Sequence, residues 1–287
     1  MKRESEPLSI AVVVLNWNGR ALLEEFLPSL VRYNHPQAKI YVADNASTDD
    51  SVEWLQRNYP EVGIIRNDEN YGFAKGYNVA LKGLREDIFA LVNSDIEVTE
   101  GWLNSVVEEF ESDPGVTAAQ PRLLDYKDKT MFEYAGAAGG FIDKLGYPYC
   151  RGRIFTVIEP DKGQYTQNSD IFWATGACLF VRREAFEILG GFDDDFFAHL
   201  EEIDLCWRIL NTGGRIRYIA DSLVYHVGGA TLQKYDARKT YLNFRNSLFT
   251  LVKNLPAYRI PYVVLCRMVL DGVQGMRFLA EKRPRHT

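Results

Sequence analysis

The sequence is poor in cysteine and lacks the cysteine spacings that bind zinc. Its four cysteines lie far apart in 287 residues and include no CxxC pair: Cys150, Cys178, Cys206 and Cys266. Neither a zinc site nor a disulfide framework is indicated, so we expect free thiols and a reducing compartment. An excess of basic charge is also missing, because the net charge is −6 and the pI is near 5.4. Broad binding to nucleic-acid phosphates is therefore not expected.

Long apolar runs and the common nucleotide-binding loops are absent as well. No stretch has 18 uninterrupted apolar residues, and the apolar run at residues 10–15 is soon broken by Asn16 and Asn18. This pattern predicts a first strand rather than a signal peptide or a membrane span. Neither GxGxxG nor GxxxxGKS/T occurs, which argues against the usual dinucleotide and P-loop proteins. At 46% hydrophobic residues, the chain can still bury a substantial core.

Short apolar runs alternate with amphipathic stretches over residues 9–120. The runs have strand length and lack polar alternation: IAVVVL, KIYVAD, GIIRN, IFALVN and VTAAQ. Strands of this kind are buried on both faces, so the order predicts an α/β fold with a mostly parallel, doubly wound sheet flanked by helices. Residues 121–170 are rich in Gly and Tyr with weak periodicity, and we expect an irregular segment over the sheet edge. From about Asp236, two helices separated by LPAYRIP are expected.

Polar residues follow the predicted strands at their carboxyl ends. In parallel sheets, ligands bind outside these ends near the point where strand order reverses. The rule places four segments on one edge: residues 16–18, 44–49, 67–75 and 93–97. This edge is the predicted ligand site.

The stretch LVNSDIEV ends a buried strand in Asn93, Ser94 and Asp95. An ionised carboxylate in a ligand crevice is stable if it contacts a cation or remains hydrated. Carboxylate oxygens are hard ligands of the kind that Mg²⁺ and Mn²⁺ prefer. A simple turn explains the same residues, since all three favour turns. Asp44, at the tip of the second strand, is well placed to accept hydrogen bonds from a nucleobase or ribose. Gly72 lies in a turn before a helix, where backbone can approach a ligand closely.

Six segments taken together resemble, in order and spacing, the family-2 glycosyltransferases of GT-A fold. They are VVVLNWNG, YVADNASTDDS, ENYGFAKGYNVAL, LVNSDIEV, TGACLFVRREAFEILGGFDDDFF and LEEIDLCWR. The likeness is greatest to the rhamnosyltransferase-like branch that extends bacterial surface polysaccharides. It implies a Rossmann-like GT-A catalytic domain over residues 8–232 and a C-terminal helical extension over residues 233–287.

The resemblance implies roles for residues on the donor side. Asp95 stands at the metal carboxylate of the family's DxD-like motif, and Asn93 replaces the first Asp, where it contacts ribose or a metal-bound water. His226 stands where the family has a His near the metal or diphosphate, although a structural His is an equal alternative. The remaining expected contacts with the nucleotide sugar come from Asn16, Asn18, Asp44, Asn70, Gly72, Lys75 and Asn78.

The resemblance also implies a catalytic base in the acidic stretch LEEIDLCWR. The family usually has Glu-Asp there, whereas this sequence has Glu201-Glu202. By position Glu202 is the base, with Glu201 or Asp204 as alternatives, and a solvated acidic helix start explains the residues without catalysis. Three residues are expected on the acceptor side: Trp173, Gly176 and Asp193. For Asp193, a turn or helix cap is the plainer interpretation.

The resulting hypothesis is an inverting, metal-dependent glycosyltransferase with Mg²⁺ or Mn²⁺ as cofactor. It would move a sugar, with dTDP-rhamnose as first guess for the donor, to a saccharide or lipid-linked saccharide, without binding nucleic acid. Two alternatives stay open: a nucleotidyltransferase, and a catalytically silent saccharide-binding or scaffold protein suggested by Asn93 and Glu202. A cytoplasmic location is expected.

Basic residues among the apolar residues of the C-terminal part favour a peripheral contact with the inner face of the membrane. They are Arg245, Lys253, Arg259, Arg267, Arg277, Lys282, Arg283 and Arg285. A homodimer interface, or simple packing on the catalytic domain, fits the same pattern.

Overall fold

The N-terminal half folds as alternating strands and helices. The computed structural model describes residues 7–154, 156–228 and 237–280. Its first elements follow the predicted order: β1 (Ile10–Asn16), α1 (Arg20–Arg32), β2 (Ala38–Asp44), α2 (Ser51–Asn58), β3 (Gly63–Arg66), α3 (Ala74–Leu81), β4 (Ile88–Asn93), β5 (Ile96–Val98), α4 (Asn104–Ser112) and β6 (Val116–Asp125). The short strand β5 is an addition to the predicted pattern.

Four of these strands form the parallel part of the sheet. Their order is β3-β2-β1-β4, so the chain steps to one side of β1 and then to the other. The apolar side chains of β1 divide between two buried clusters, one under α1, α2 and α4 and the other towards α3. Burial on both faces explains why these strands lack polar alternation. The predicted doubly wound α/β architecture is confirmed.

The second half of the chain adds short strands and more helices. They are β7 (Gly140–Ile142), β8 (Pro148–Cys150), β9 (Arg153–Ile154), β10 (Val157–Ile158), β11 (Ser169–Asp170), β12 (Cys178–Arg182), α5 (Arg183–Ile188), a 3₁₀ turn (Asp194–Phe196), α6 (Glu201–Asn211), β13 (Arg215–His226), α7 (Ala237–Asn254) and α8 (Ile260–Ala280). Strands β7 to β10 form a small antiparallel sheet. The expectation of an irregular segment over residues 121–170 was therefore wrong, because strands of two or three residues show no periodicity in sequence.

The central sheet continues beyond β4 with changed strand directions. Strand β12 inserts antiparallel between β4 and β6, and β13 runs parallel to β6. Among the described residues, nine strands join in this mixed sheet. The carboxyl ends of β1, β2 and β4 share one edge, since Asn16 is in register with Asp44 and Leu15 with Asn93. That edge carries the candidate site.

The two C-terminal helices pack back on the catalytic part. Helix α7 lies against α6, and α8 lies against α7. The Arg267 side chain, only 2% exposed, donates to the Leu145 carbonyl at 3.2 Å and to Ser247 Oγ at 2.5 Å. Over the described residues, no helix is both long and apolar enough to cross a membrane. The predicted domain boundary between residues 232 and 233 lies outside the residues that the structure describes.

Candidate active site

The tips of β1 and β2 are joined by a buried hydrogen-bond network. Asn16 Nδ2 donates to Asp44 Oδ1 at 3.0 Å, and the backbone N–H of Ser47 donates to Asp44 Oδ2 at 3.0 Å. Within the described part of the chain, no hydrogen-bond partner reaches the buried Asn16 Oδ1. The backbone φ of Asn18 is +49°, and its Oδ1 accepts from the Thr48 N–H at 2.7 Å. Asn18 thus closes the turn, while Asn16 and Asp44 line the edge.

Two asparagines that sequence reasoning missed support the loop before α3. Asn45 Nδ2 donates to the Gly72 carbonyl at 2.8 Å, and Asn67 Nδ2 donates to Asn45 Oδ1 at 2.8 Å. Asn70 Oδ1 accepts from the Gly72 N–H at 3.0 Å. Gly72 has φ of +74°, and a Cβ there would lie 2.8 Å from the Phe197 ring. The sequence pattern had placed both on the ligand edge, within residues 44–49 and 67–75, but had given neither asparagine a role.

Two other predicted nucleotide contacts have local partners instead. Asn78 Nδ2 donates to the Phe192 carbonyl and to Asp194 Oδ1, both at 2.7 Å, so both of its N–H groups are used. Asn78 therefore holds a turn, which is a correction to its expected place on the nucleotide. Lys75 Nζ lies 4.2 Å from the centroid of the Tyr71 ring.

A buried histidine joins the β4 tip to a residue of the second half. The pairing of β13 with β5 sets His226 opposite Ile96, and His226 Nε2 lies 3.1 Å from Asp95 Oδ1 and 3.5 Å from Asn93 Nδ2. His226 Nδ1 lies 3.3 Å from Oε1 of Glu133. Burial opposes the charge on His226, but Asp95 and Glu133 outweigh it and raise its pKa to about 10. Sequence reasoning missed Glu133, which lies in the segment without periodicity.

The donor set around Asp95 suits a divalent cation with waters and phosphate as further ligands. The 3.1 Å between Asp95 Oδ1 and His226 Nε2 is an ion-pair distance, and it also matches the ~3 Å between neighbouring ligands of an ion with bonds of about 2.1 Å. Among the described residues no group of three or more His, Cys, Asp or Glu side chains is arranged around one metal position. Two protein ligands are nevertheless ordinary for Mg²⁺ or Mn²⁺, which keep waters and bind substrate phosphates. Glu133 on the far nitrogen would orient the imidazole ring.

The acidic stretch forms the first turn of α6 and is not a solvated helix start. Glu201 is 4% exposed and Glu202 is half-buried. In the described chain, Oε2 of each carboxyl group is without a hydrogen-bond partner. Burial raises the pKa of Glu202 to about 7, and burial together with the charge of Glu202 raises the pKa of Glu201 well above its ordinary value. Such a carboxyl group can exchange a proton near neutral pH.

Asp204, the third acidic residue, is compensated by cations and amide groups. It is fully buried, accepts from Arg208 Nε at 2.8 Å, and lies 3.0 Å from Lys253 Nζ. Asn254 Nδ2 donates to it at 2.8 Å. These contacts give Asp204 a structural role in the resting protein, so the open carboxyl groups are those of Glu201 and Glu202.

The metal side and the acidic helix lie close together. The N–H of Asn93 donates to the carbonyl of Ala177 at 2.9 Å, and a Cβ on the neighbouring Gly176 would lie 3.7 Å from Glu202 Cβ. Burial raises the pKa of the Cys150 thiol to about 11 against the opposing effect of Arg153, and the charges of Glu133 and Glu202 add smaller increases. A Cβ at position 176 would thus be in ordinary van der Waals contact with Glu202, so the start of α6 lies beside the segment that pairs with the tip of β4.

The other two acceptor-side predictions find partners within the protein. Trp173 is 4% exposed, its Nε1 donates to the Phe141 carbonyl at 2.8 Å, and Gly140 packs on its ring. The ring is thus covered, which corrects its expected exposure to an acceptor. Asp193 lies 2.5 Å from Lys253 Nζ and accepts from the Asp195 N–H at 2.9 Å. The turn-capping interpretation of Asp193 agrees with this placement.

The family model for "Glycosyl transferase family 2" matches residues 9–190. The chain belongs to this family and is a hexosyltransferase enzyme of the GT-A fold. It is 26% identical over 233 residues to N-acetylglucosaminyl-diphospho-decaprenol L-rhamnosyltransferase of Mycobacterium tuberculosis, covering 76% of this chain and 75% of that protein. It is 26% identical over 219 residues to rhamnosyltransferase WbbL of Escherichia coli K12, covering 73% of this chain and 80% of that protein.

A solved structure supports the fold. GalNAc-T7 with UDP, GalNAc and Mn²⁺ superposes with a TM-score of 0.65 at 16% identity, covering 86% of this chain and 48% of that chain. At this identity the likeness concerns the fold alone. Both relatives are named rhamnosyltransferases, which agrees with the expected likeness to that branch.

Replacing Glu202 with Gln is expected to raise Tm at pH 8 by about 3 °C, the scale of ~1 kcal/mol in a protein of this size. The folded pKa of about 7 lies above the ordinary 4.5, so the charged carboxylate destabilises the folded state above pH 7. As pH falls below 7 the folded carboxyl group is protonated, and the gain should shrink towards zero below pH 4.5.

Differential scanning fluorimetry from pH 4.5 to 8.5 measures this gain. The exposed Glu184→Gln is the matched control and should show little change. A gain for Glu202→Gln that stays constant with pH would contradict the raised pKa.

Proposed function

We propose that this enzyme transfers rhamnose, with inversion, from dTDP-rhamnose to a saccharide or lipid-linked saccharide in surface polysaccharide synthesis. The observation that carries the mechanism is the position of the buried Glu201 and the half-buried Glu202 beside the segment that pairs with the polar tip of β4. The rhamnosyltransferase relatives support the choice of sugar. The choice of thymidine as the base rests on the family likeness alone.

The nucleotide would lie along the sheet edge. Asp44 has remaining lone pairs for a nucleobase or ribose, and the unpartnered Asn16 Oδ1 is an acceptor beside it. Gly72 and Asn70 would bring backbone close to the nucleotide, and Asn93 would contact ribose or a metal-bound water. Each of these roles is the one that the family resemblance implies for that residue.

Asp95 and His226 would hold Mg²⁺ or Mn²⁺, and a related fold is solved with Mn²⁺. Such a cation stabilises negative charge on a departing diphosphate. His226 must present an unprotonated Nε2 to bind it, so metal binding would displace the proton that Asp95 and Glu133 favour. Glu133 Oε1, 3.3 Å from Nδ1, would favour a proton on that nitrogen when Nε2 faces the metal.

Glu202 would remove the proton from the acceptor hydroxyl as that oxygen attacks the anomeric carbon. The carbon–oxygen bond to the acceptor forms while the bond to the diphosphate breaks, and the proton passes to the carboxylate. A base on the face opposite the leaving group gives inversion without a covalent intermediate. Glu201 is the alternative base, whereas Asp204 would first have to leave its ion pairs.

We expect dTDP-rhamnose to stabilise the protein only when Mg²⁺ or Mn²⁺ is present. A ligand that binds the native state raises Tm by mass action, with ~2.7 kcal/mol at a hundredfold excess over Kd. A thermal-shift screen of UDP-, GDP- and dTDP-sugars with each metal or EDTA measures the effect. Asp95→Asn should abolish the metal-dependent shift, while the exposed Asp221→Asn should keep it. Shifts that are equal with EDTA and metal would remove Asp95 from its role.

Glu202→Gln should keep donor affinity and lose transfer by roughly 100-fold or more, because only proton removal is affected. In the native enzyme the rate should fall below about pH 7, where the carboxyl group is protonated. Release of nucleoside diphosphate with a saccharide acceptor measures both effects. Glu184→Gln is the control, and full activity of Glu202→Gln would assign the base to Glu201.

We also infer that α8 binds a membrane surface. Its exposed apolar side chains outnumber its charges, which within residues 260–280 are Arg267, Asp271 and Arg277. Each of these apolar side chains is more than half exposed: Tyr262, Leu265, Met268, Val269, Val273, Met276 and Leu279. The bases Lys282, Arg283 and Arg285 follow in the sequence. Apolar residues flanked by basic residues favour an anionic lipid surface.

The protein should sediment with vesicles that contain phosphatidylglycerol and less with neutral phosphatidylcholine vesicles. A Leu265→Glu/Met276→Glu variant should lose this binding, whereas Ile188→Glu, which changes a 75% exposed residue of α5, should keep it. If the double variant instead converts a dimer to a monomer in sedimentation velocity, the surface is a dimer interface and not a membrane contact.

A further inference from the structure

The loop immediately before α6 has a backbone that ordinary residues avoid. Phe197, His199 and Leu200 have φ of +63°, +72° and +67°, although none of them is glycine. Side chains clash with backbone in this left-handed region, so three such residues within four positions persist only if their surroundings hold them. The loop ends at Glu201 and Glu202, the carboxyl pair of the candidate site.

A side chain of α7 supplies this restraint. Asn246 is fully buried, and its Nδ2 lies 3.1, 2.9 and 2.7 Å from the carbonyl oxygens of Phe196, Ala198 and His199. Two N–H groups therefore serve three carbonyl groups of the strained backbone. The Asn246 Oδ1 accepts from Arg245 Nε at 2.9 Å, which fixes the orientation of the amide.

The loop is held from two further directions. Arg245 Nη2 donates to the carbonyls of Asp195 at 2.7 Å and Phe196 at 3.1 Å. From the opposite side, the carbonyl of Phe197 accepts from the N–H groups of Phe73 and Ala74 at the start of α3. The loop thus lies between α3, which borders the donor edge, and α7, with Asn246 as its buried partner.

We propose that Asn246 is a positioning residue for sugar transfer: its amide fixes the loop 196–199 and thereby the place of the first turn of α6. The proposal rests on the proposed function, in which Glu202 is the base. A shift of α6 by one residue along its axis would move the carboxyl groups of Glu201 and Glu202 by about 1.5 Å. A misplacement of that size is enough to slow a reaction that depends on alignment of the reacting groups. Asn246 lies outside the six segments that resemble the family and outside residues 9–190, which the family model matches.

Asn246→Ala is expected to lower kcat by ~10–100-fold while the donor Kd changes less than twofold, because Asn246 bonds to the loop carbonyls and, within the described residues, to none of the donor edge. The matched control is Ser247→Ala, since Ser247 is a buried neighbour on α7 that bonds to Arg267 of α8 and not to the loop. Arg245→Met is the second variant, because Arg245 is half-buried and its loss weakens the same restraint with less risk to folding.

The pH profile separates positioning from a loss of folded protein. Burial raises the pKa of Glu202, and its titratable neighbours are Glu201, Cys150 and Cys206. A loosened loop admits water, so the acidic limb of kcat should move from about pH 7 towards the ordinary glutamate value of 4.5. A variant that only unfolds more readily would lower kcat in proportion to the folded fraction at each pH, and the limb would not move once rates are expressed per folded enzyme.

Loss of kcat with a displaced acidic limb in Asn246→Ala or Arg245→Met supports the proposal. Native kcat in both variants, or a uniform loss with an unmoved limb, overturns it. Glu202→Gln is assayed in parallel to distinguish the two hypotheses. Full activity there refutes Glu202 as the base and with it the proposed positioning role, whereas an inactive Glu202→Gln beside a native Asn246→Ala refutes the positioning role alone.

Discussion

The fully buried carboxylate of Asp204 needs cations, and the residues that satisfy it hold the acidic helix to the rest of the enzyme. Arg208 comes from the same helix, while Lys253 and Asn254 come from α7. Removing one partner of a buried ion pair leaves an uncompensated charge, which is far more costly than a lost surface contact. The register of α6 against α7 is therefore strongly specified. This register sets the axis of α6, while the loop held by Asn246 restrains its first turn, where Glu201 and Glu202 lie.

Much of the fold and of the donor edge could be predicted from the sequence. The information is local there: apolar runs without alternation give parallel strands, and a polar residue at the end of each run gives the edge. Asn16 and Asp44 were placed correctly because their positions depend only on strand order and direction. The Asp95–His226 contact was consistent with the order of the family segments, although the register of β13 against β5 was not visible in the sequence.

The remaining residues depend on partners distant in sequence. Asn78 and Trp173 have side chains suited to a ligand, but the 192–194 turn and Gly140 occupy them. Glu133 and Asn246 are the opposite case, because nothing in the sequence was a reason to select them. Neither lies in a motif, and each contacts the site only when distant segments pack together. A side chain's chemistry states what it can bind, whereas tertiary structure decides whether a ligand or the protein itself is the partner. Acceptor-side roles were accordingly the least predictable.

The mixed central sheet has a consequence for the way the enzyme can move. Strand β12 pairs with β4 on one side and with β6 on the other. The N-terminal half, which carries the predicted donor site, and the second half of the chain therefore share one continuous hydrogen-bonded sheet. A hinge motion between the two halves would have to break hydrogen bonds of that sheet. We therefore expect any opening and closing around substrates in the loops at the sheet edge rather than through closure of two domains.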